Sequence, residues 1–225
     1  MGRDNHPHER QLRKLERKQN RRASYERVLI VSEGSKTEPR YFGEIRSAYR
    51  LHSANVAVQP SRLGTDCLQV VEYAAWLFEN GDPQRGVQKR AFEKVYAVFD
   101  RDDHGTFHSA IARAKGLNGR LKNDLKQPIA FVAIPSRPSF EFWLLLHFED
   151  VQHLLHRDAV VKRLKKHLPD YEKSAQGVYS LTKPKLTIAI ERAKKLLNND
   201  LTDDNEPYTG IVELVEALMS LKSAP

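Results

Sequence analysis

Residues 28–42 have the sequence VLIVSEGSKTEPRYF, in which an apolar run passes directly into an acidic turn and then into a helical pattern. The run at residues 28–32 is unbroken and rich in valine and isoleucine, which predicts a β-strand covered on both faces. Thr37 is predicted to cap the helix that follows. This succession is typical of a parallel α/β sheet, and it leaves Glu33 at the carboxyl end of a buried strand. The apolar face of the predicted helix comprises Tyr41, Phe42 and Ile45.

The alternation of apolar runs and helical patterns continues along the chain. Three further runs predict strands, at residues 54–58, 95–99 and 129–134. Crossover helices are predicted at residues 66–79 and 106–125. After Pro135 we expect no further strand, and the predicted helices occupy residues 139–149, 158–168, 183–199 and 208–222. The predicted fold class is therefore α/β, with a mainly parallel sheet flanked by helices and a helical C-terminal extension.

Three parts are expected along the chain. Residues 1–26 form a basic arm, partly disordered or helical, residues 27–149 form the α/β core, and residues 150–225 form the helical extension packed on that core. The first 27 residues contain nine lysines and arginines but only four acidic residues. Such an arm is either a solvated tail or a contact for nucleic acid, and the sequence leaves both open.

Composition limits the classes of function. The chain has 225 residues, 40% of them apolar, which is enough for a core without disulfide staples. Its single cysteine, Cys67, excludes an intramolecular disulfide and a cysteine-based zinc site, and we expect it to be buried. The sequence shows no apolar stretch long enough for a membrane span, so we expect a cytoplasmic protein without a membrane partner. A net charge of +8 favours polyanionic partners, with nucleic acid first among them.

A second motif, VYAVFDRDDHG at residues 95–105, also ends an apolar strand in acidic residues. Asp100 and Asp102 fall on the same side if the strand geometry persists, with Asp103 next to them. If this strand neighbours the first one, these carboxylates and Glu33 meet at one edge of the sheet. Their mutual repulsion needs a cation, and oxygen ligands suit Mg²⁺ or Mn²⁺. Taken singly, each motif is equally typical of an ordinary turn.

Other candidate site residues flank these motifs. Lys36 precedes a helix N-terminus that can bind phosphate, although the single glycine of the turn excludes the phosphate-binding loop of nucleotide hydrolases. Glu141, in the first turn of the helix predicted at 139–149, is either a buried carboxylate that needs a partner or a metal, or a solvated group that favours the helix dipole. His147 follows on a different face of that helix. Three arginines are candidates for binding substrate or transition-state charge: Arg40, Arg101 and Arg137.

The two acidic motifs resemble the TOPRIM fold of topoisomerases, primases and OLD-type nucleases, which places a glutamate after its first strand and Asp-x-Asp after a later one. A closer resemblance is to the RloB family of bacterial defence-associated proteins. It is carried by the following segments: Glu33-Gly34 with Thr37-Glu38-Pro39, Phe99 to Asp103, Pro138 to Phe148, Tyr171 with Lys173, and Asn205 to Thr209.

The resemblance implies a TOPRIM-like core, a divalent metal and nuclease chemistry in an anti-phage or restriction-associated system. We therefore expect an Mg²⁺- or Mn²⁺-dependent hydrolase of phosphodiester bonds in RNA or DNA, with Glu33 as general base or ligand. An ATPase or another defence-system subunit is a candidate partner, and an oligomer is compatible with the sequence. The alternative is a non-catalytic subunit that binds nucleic acid or a nucleotide.

Overall fold

The structure, a computed structural model, describes residues 26–53, 55–64, 66–101, 105–198 and 206–221. Its strands are β1 (Val28–Ser32), β2 (Val56–Pro60), β3 (Lys94–Asp100), β4 (Ala130–Arg137) and β5 (Tyr208–Thr209). They form one sheet in the order β2-β1-β3-β4-β5. The first four strands are parallel, and β5 pairs antiparallel with β4. The prediction of a mainly parallel α/β sheet is confirmed, and the arrangement is consistent with a TOPRIM-like fold.

Helices cover both faces of this sheet. They are α1 (Thr37–Ala48), α2 (Cys67–Asn80), α3 (Phe107–Leu117), α4 (Phe140–Leu146), α5 (Arg157–His167), α6 (Val178–Thr182), α7 (Leu186–Leu196) and α8 (Ile211–Ser220). Short 3₁₀ turns occur at Pro83–Arg85 and Lys183–Lys185. The predicted apolar face of α1 is buried as expected.

Several details of the predicted elements are wrong. Thr37 does not cap α1, because its hydroxyl donates to the Lys173 carbonyl oxygen at 2.7 Å and Lys36 occupies the cap position. The helix predicted at 106–125 ends at Leu117, since the chain enters a left-handed conformation at Gly119, where φ is 73°. A strand does follow Pro135, namely β5, whose two residues hydrogen-bond along the end of β4.

The alternation of side chains along the strands divides the core into two clusters, one on each face of the sheet. On β3, Val95, Ala97 and Phe99 face α2 and α3. Tyr96 and Val98 face α1 together with the C-terminal helices. The helices of the extension therefore pack on the same face as α1, which places them beside the carboxyl end of β3.

Arg27 anchors the start of β1. Its guanidinium is 7% exposed and forms ion pairs with Glu93 and Asp124. The Arg27 carbonyl also accepts hydrogen bonds from the backbone of residues 93 and 94. The predicted basic arm precedes this anchor, and its residues 1–25 lie outside the described part of the chain.

Composition led to two expectations, a buried Cys67 and no membrane span. Cys67 is fully buried, as expected, and its thiol donates to the Asp100 carbonyl oxygen at 3.2 Å. In the described ranges, none of the helices has the length and apolar character that crossing a bilayer requires.

Candidate active site

A cleft of about 470 Å³ opens at the carboxyl ends of β1 and β3. These strands are adjacent and parallel, with Ser32 opposite Val98. The connection from β1 leads to β2 on one side of the sheet, whereas β3 and β4 lie on the other side. In α/β sheets the point where strand order reverses is the usual place for a ligand, because the loops diverge there. The two acidic motifs thus follow neighbouring strands, which is the condition under which their carboxylates were expected to meet.

Glu33 is fixed against the end of β3 by the backbone. Its N–H donates to the Val98 carbonyl oxygen at 2.8 Å, so the chain still follows the sheet at this position. Its carboxylate Oε2 accepts the Asp100 N–H at 2.9 Å. The Glu33 and Asp100 side chains therefore leave the sheet side by side, and both line the cleft.

Glu38 also lines the cleft. From the sequence it was predicted only as part of the helix start and not as a site residue. It lies in the first turn of α1, is 7% exposed, and accepts the Gly34 N–H at 3.3 Å through Oε1. A Cβ at Gly34 would lie 2.7 Å from the Glu38 Cδ, so the missing side chain makes room for the carboxylate. The sequence did contain a signal for this contact, because a glutamate four residues after a glycine turn can fold back onto that turn.

Glu141 enters the cleft from α4, as one of the two interpretations predicted. It is 3% exposed, and hydroxyl groups contact both of its oxygens. Ser139 Oγ donates to Oε2 at 2.7 Å, and the Tyr171 hydroxyl donates to Oε1 at 3.2 Å. Burial together with the negative charge of Glu141 raises the pKa of Tyr171, which keeps that hydroxyl protonated as a donor.

Four carboxylates thus line one cleft, with Glu38 and Glu141 buried and Glu33 and Asp100 half-buried. Burial first, and then the negative charges of Glu38, Glu33 and Glu141, raise the pKa of Asp100 well above its usual range. Arg157 opposes this effect, since its Nη2 lies 3.5 Å from Asp100 Oδ2. The cluster therefore favours a bound proton or a bound cation over four bare negative charges.

The pKa of Glu38 is raised for the same physical reasons. Burial is the largest cause, and the charge of Glu141 adds to it. Hydrogen bonding to backbone N–H groups, including that of Gly34, and the positive charge of Lys173 act in the opposite direction.

Basic side chains line the cleft around the carboxylates. They are Lys36, Arg62, Arg157 and Lys173. Of these, only Lys36 was predicted from the sequence as a site residue. The other three come from the loop after β2, from α5 and from the segment before α6, so only the tertiary fold brings them together. An acidic centre with basic surroundings matches a phosphate ester that approaches bound metal.

Several predicted site residues lie elsewhere. Arg40 lines a second groove, on α1 next to the cleft, and not the cleft itself. Arg101 points to the opposite face of the sheet, with its guanidinium 4.4 Å from the centre of the Phe107 ring. Arg137 is buried and donates from Nη1 to the Glu206 carbonyl oxygen at 3.0 Å.

His147 is buried at the end of α4 and does not line the cleft. Its Nδ1 lies 3.0 Å from the Trp143 carbonyl oxygen, and burial lowers the pKa of its imidazole to about 4. Two further candidates, Asp102 and Asp103, lie outside the described residues.

The donor set of the cleft fits Mg²⁺ or Mn²⁺ by chemistry, because all four acidic side chains offer hard oxygen ligands. Among the described residues, no three acidic, histidine or cysteine side chains already converge closely enough to hold one ion. Asp102 and Asp103, the predicted additional ligands, follow closely after Asp100 in the sequence and lie outside the described residues.

Similarity to known proteins extends over nearly all of the chain that forms the cleft. The family model described as RloB-like protein matches residues 28–218. The chain belongs to the RloB-like protein family. The match spans both acidic motifs, α4 and the C-terminal helices, so every described element of this RloB-like cleft lies within it. No curated protein and no solved structure matches the chain.

Proposed function

We propose that this RloB-like protein is a metal-dependent nuclease that hydrolyses phosphodiester bonds in RNA or DNA as part of a bacterial anti-phage or restriction-associated defence system. The observation that carries the chemistry is the convergence of Glu33, Glu38, Asp100 and Glu141 on one cleft with basic surroundings. The place in defence rests on the family resemblance alone.

The residues of the cleft have separable roles in this proposal. Asp100 would hold Mg²⁺ or Mn²⁺ together with Asp102, Asp103 and a neighbouring glutamate. When bound, the ion would polarise a phosphoryl oxygen and lower the pKa of a water ligand. Glu33, held by the Asp100 N–H, would take a proton from the attacking water.

Negative charge that develops on the phosphate in the transition state needs a cationic hydrogen-bond donor inside the cleft. Arg101 or Arg40 was predicted from the sequence to have this role, but neither lines the cleft. Arg157 is placed better, because its guanidinium already faces Asp100 at 3.5 Å. We assign the role to Arg157, and Lys173 also lines the cleft.

A second candidate function is a non-catalytic subunit that binds nucleic acid or a nucleotide. It is favoured by the absence, among the described residues, of three side chains already arranged around one ion. In that case the carboxylates bind a cation only to hold phosphate, and Glu33 has no chemical step to perform.

Replacement of Glu33 by glutamine separates the two functions. The amide keeps the size and polarity of the side chain but cannot accept a proton, so we expect single-turnover cleavage to fall by about 10²- to 10⁴-fold. Binding should remain, because one negative charge near the phosphate is removed. The measurement is cleavage of labelled RNA and DNA with Mg²⁺ or Mn²⁺, alongside Glu191→Gln, an exposed position on α7.

Equal cleavage rates in wild type and Glu33→Gln would remove Glu33 from the mechanism. Binding without metal-dependent cleavage by the wild type, tested also with its cognate partner or a phage trigger, would favour the non-catalytic function.

A further inference from the structure

A second, open groove of about 690 Å³ lies on α1 beyond the cleft. One wall is the exposed side of α1, and the other is the segment that leads into α6. The lining residues that matter here are Arg40, Gly43, Arg46, Ser47, Gly177 and Ser180.

The groove continues the cleft along both walls. On α1, Lys36 lines the cleft and Arg40, one helical turn later, lines the groove. On the facing wall, Lys173 lines the cleft and Gln176 lines the groove. Along α1, the step from Lys36 in the cleft to Arg40 in the groove is one helical turn, about 5 Å.

Two hydrogen-bonded attachments fix the facing wall to α1. At the cleft end, the Thr37 hydroxyl donates to the Lys173 carbonyl oxygen at 2.7 Å. At the far end, the Glu44 carboxylate accepts the N–H groups of Gly177 and Tyr179 at 2.6 and 2.9 Å. The groove is thus a built feature of the fold, with a width set at both ends.

The shape and charge of the groove suit a phosphodiester backbone. Small residues form much of its surface, and a Cβ built on Gly43 meets no other atom within 4 Å. Arg40 and Arg46 supply positive charge, and Arg46 is steadied by a 3.2 Å bond from Nη1 to the Val56 carbonyl oxygen. The carboxylate among the described lining residues, Glu44, is occupied by two backbone N–H groups.

We infer that this groove binds the backbone of a nucleic-acid strand whose reacting phosphate lies in the cleft, with Arg40 and Arg46 as the phosphate contacts. The inference rests on the proposed function and specifies its substrate as an extended strand. Arg40 is then a substrate-binding residue outside the reacting centre, which explains why the fold turns it away from the carboxylates.

The test measures the affinity of labelled oligouridine and oligodeoxythymidine for the wild type and for the double variant Arg40→Gln/Arg46→Gln. Conditions are chosen so that no cleavage occurs. Uridine and thymidine monophosphates, which are single nucleotides, are compared with strands of about 16 nucleotides, the upper end of the usual single-strand site sizes. For the long strands, removal of two phosphate-binding charges should flatten the slope of log affinity against log salt by about 1.4. The single nucleotides, which fit within the cleft, should keep their slope.

Matched variants control for charge and for folding. Lys115→Gln/Arg120→Gln removes the same charge from exposed positions at the end of α3, on the other face of the sheet, and should leave the slope unchanged. Gly43→Trp fills the groove without changing charge and should weaken binding of long strands only, whereas Gly43→Ala should bind like the wild type.

Equal slopes in the groove and control double variants, or full binding of long strands by a folded Gly43→Trp protein, would overturn the inference. Because the readout is binding, it is independent of cleavage. A groove that binds strands in a protein without nuclease activity would support the inference while contradicting the proposed chemistry. Preference for either polymer assigns the strand to RNA or DNA.

Discussion

Glu38 is a buried carboxylate in a cleft that holds other carboxylates, and its negative charge adds to burial in raising the pKa of Asp100. Gly34 makes this possible by leaving the space that a side chain would occupy. The protein therefore keeps Glu38 and Asp100 in surroundings that raise the pKa of both groups. Such an arrangement costs stability unless a proton or a cation is bound, which is expected of a functional site.

Asp100→Asn should stabilise the metal-free protein at neutral pH. The folded protein, whose Asp100 pKa is raised, binds a proton that the unfolded chain has released, so its stability falls as pH rises from the usual carboxyl range through the raised pKa. The asparagine variant loses that dependence, and a gain of about 1 kcal/mol is typical of stabilising substitutions. Urea unfolding in chelator from pH 5 to pH 8 measures the effect.

Asp170→Asn, at an exposed position, is the control for a simple change of charge. Added Mn²⁺ should raise the unfolding temperature of the wild type more than that of Asp100→Asn. A variant that shows the same pH dependence and the same response to Mn²⁺ as the wild type would contradict the role given to Asp100.

Helix α1 connects the sheet to the C-terminal part of the chain through Glu44. Its carboxylate accepts the N–H groups of Gly177 and Tyr179 at the start of α6, so a side chain of one helix satisfies the N-terminus of another. Without it these donors would need water at a partly buried position.

Glu44→Ala should lower the free energy of unfolding by about 1 to 2 kcal/mol, the usual cost of removing a capping residue. Glu44→Gln should recover part of that loss, since its amide oxygen still accepts one hydrogen bond. Glu216→Ala, which removes an exposed carboxylate paired with Lys194, should cost less. Equal losses in the two alanine variants would show that Glu44 does not hold the segment to α1.

The sequence predicted buried strands better than the ends of elements. The run at residues 28–32 coincides with β1, because continuous valine and isoleucine are diagnostic of a strand covered on both faces. The two-residue strand β5 carries no such pattern, since its conformation depends on pairing with the end of β4. Helix α6 was missed for a similar reason, because its five residues are too few to show a period.

The residues of the candidate active site also divide into those with a local sequence pattern and those that only tertiary packing brings to the cleft. Glu33 and Asp100 could be predicted, because each follows an apolar strand and adjacent parallel strands end at one edge. Arg157 and Lys173 could not be predicted as cleft residues, since they reach it from a loop-rich part of the chain through tertiary packing. Arg101 was misplaced for a simpler reason: alternation along β3 puts it on the face opposite Asp100.

Positive charge is distributed unevenly over the whole molecule. Between residues 150 and 198 there are eleven lysines and arginines and five acidic residues. This segment packs on the face of the sheet where the acidic cleft opens, and it contributes Arg157 and Lys173 to the lining of that cleft. A nucleic-acid strand would be attracted to that face by charge before any contact in the cleft forms.

Removal of the basic arm tests whether the arm contacts phosphate or is a solvated tail. Residues 1–24 contain eight lysines and arginines. Deleting them should leave the unfolding midpoint unchanged, because the anchoring ion pairs of Arg27 with Glu93 and Asp124 stay in place. Affinity for nucleic acid should fall, and its dependence on salt should flatten by about 0.7 for each phosphate that the arm neutralises.

A full-length variant with all eight basic residues of the arm replaced by glutamine distinguishes charge from chain length. If the arm acts through counterion release, this variant and the deletion should show the same decrease in slope, since neither carries the positive charge. If the arm acts through specific side-chain or backbone contacts, the glutamine variant should retain more affinity than the deletion. An unchanged slope in both proteins would identify the arm as a solvated tail and assign binding to the cleft and the groove on α1.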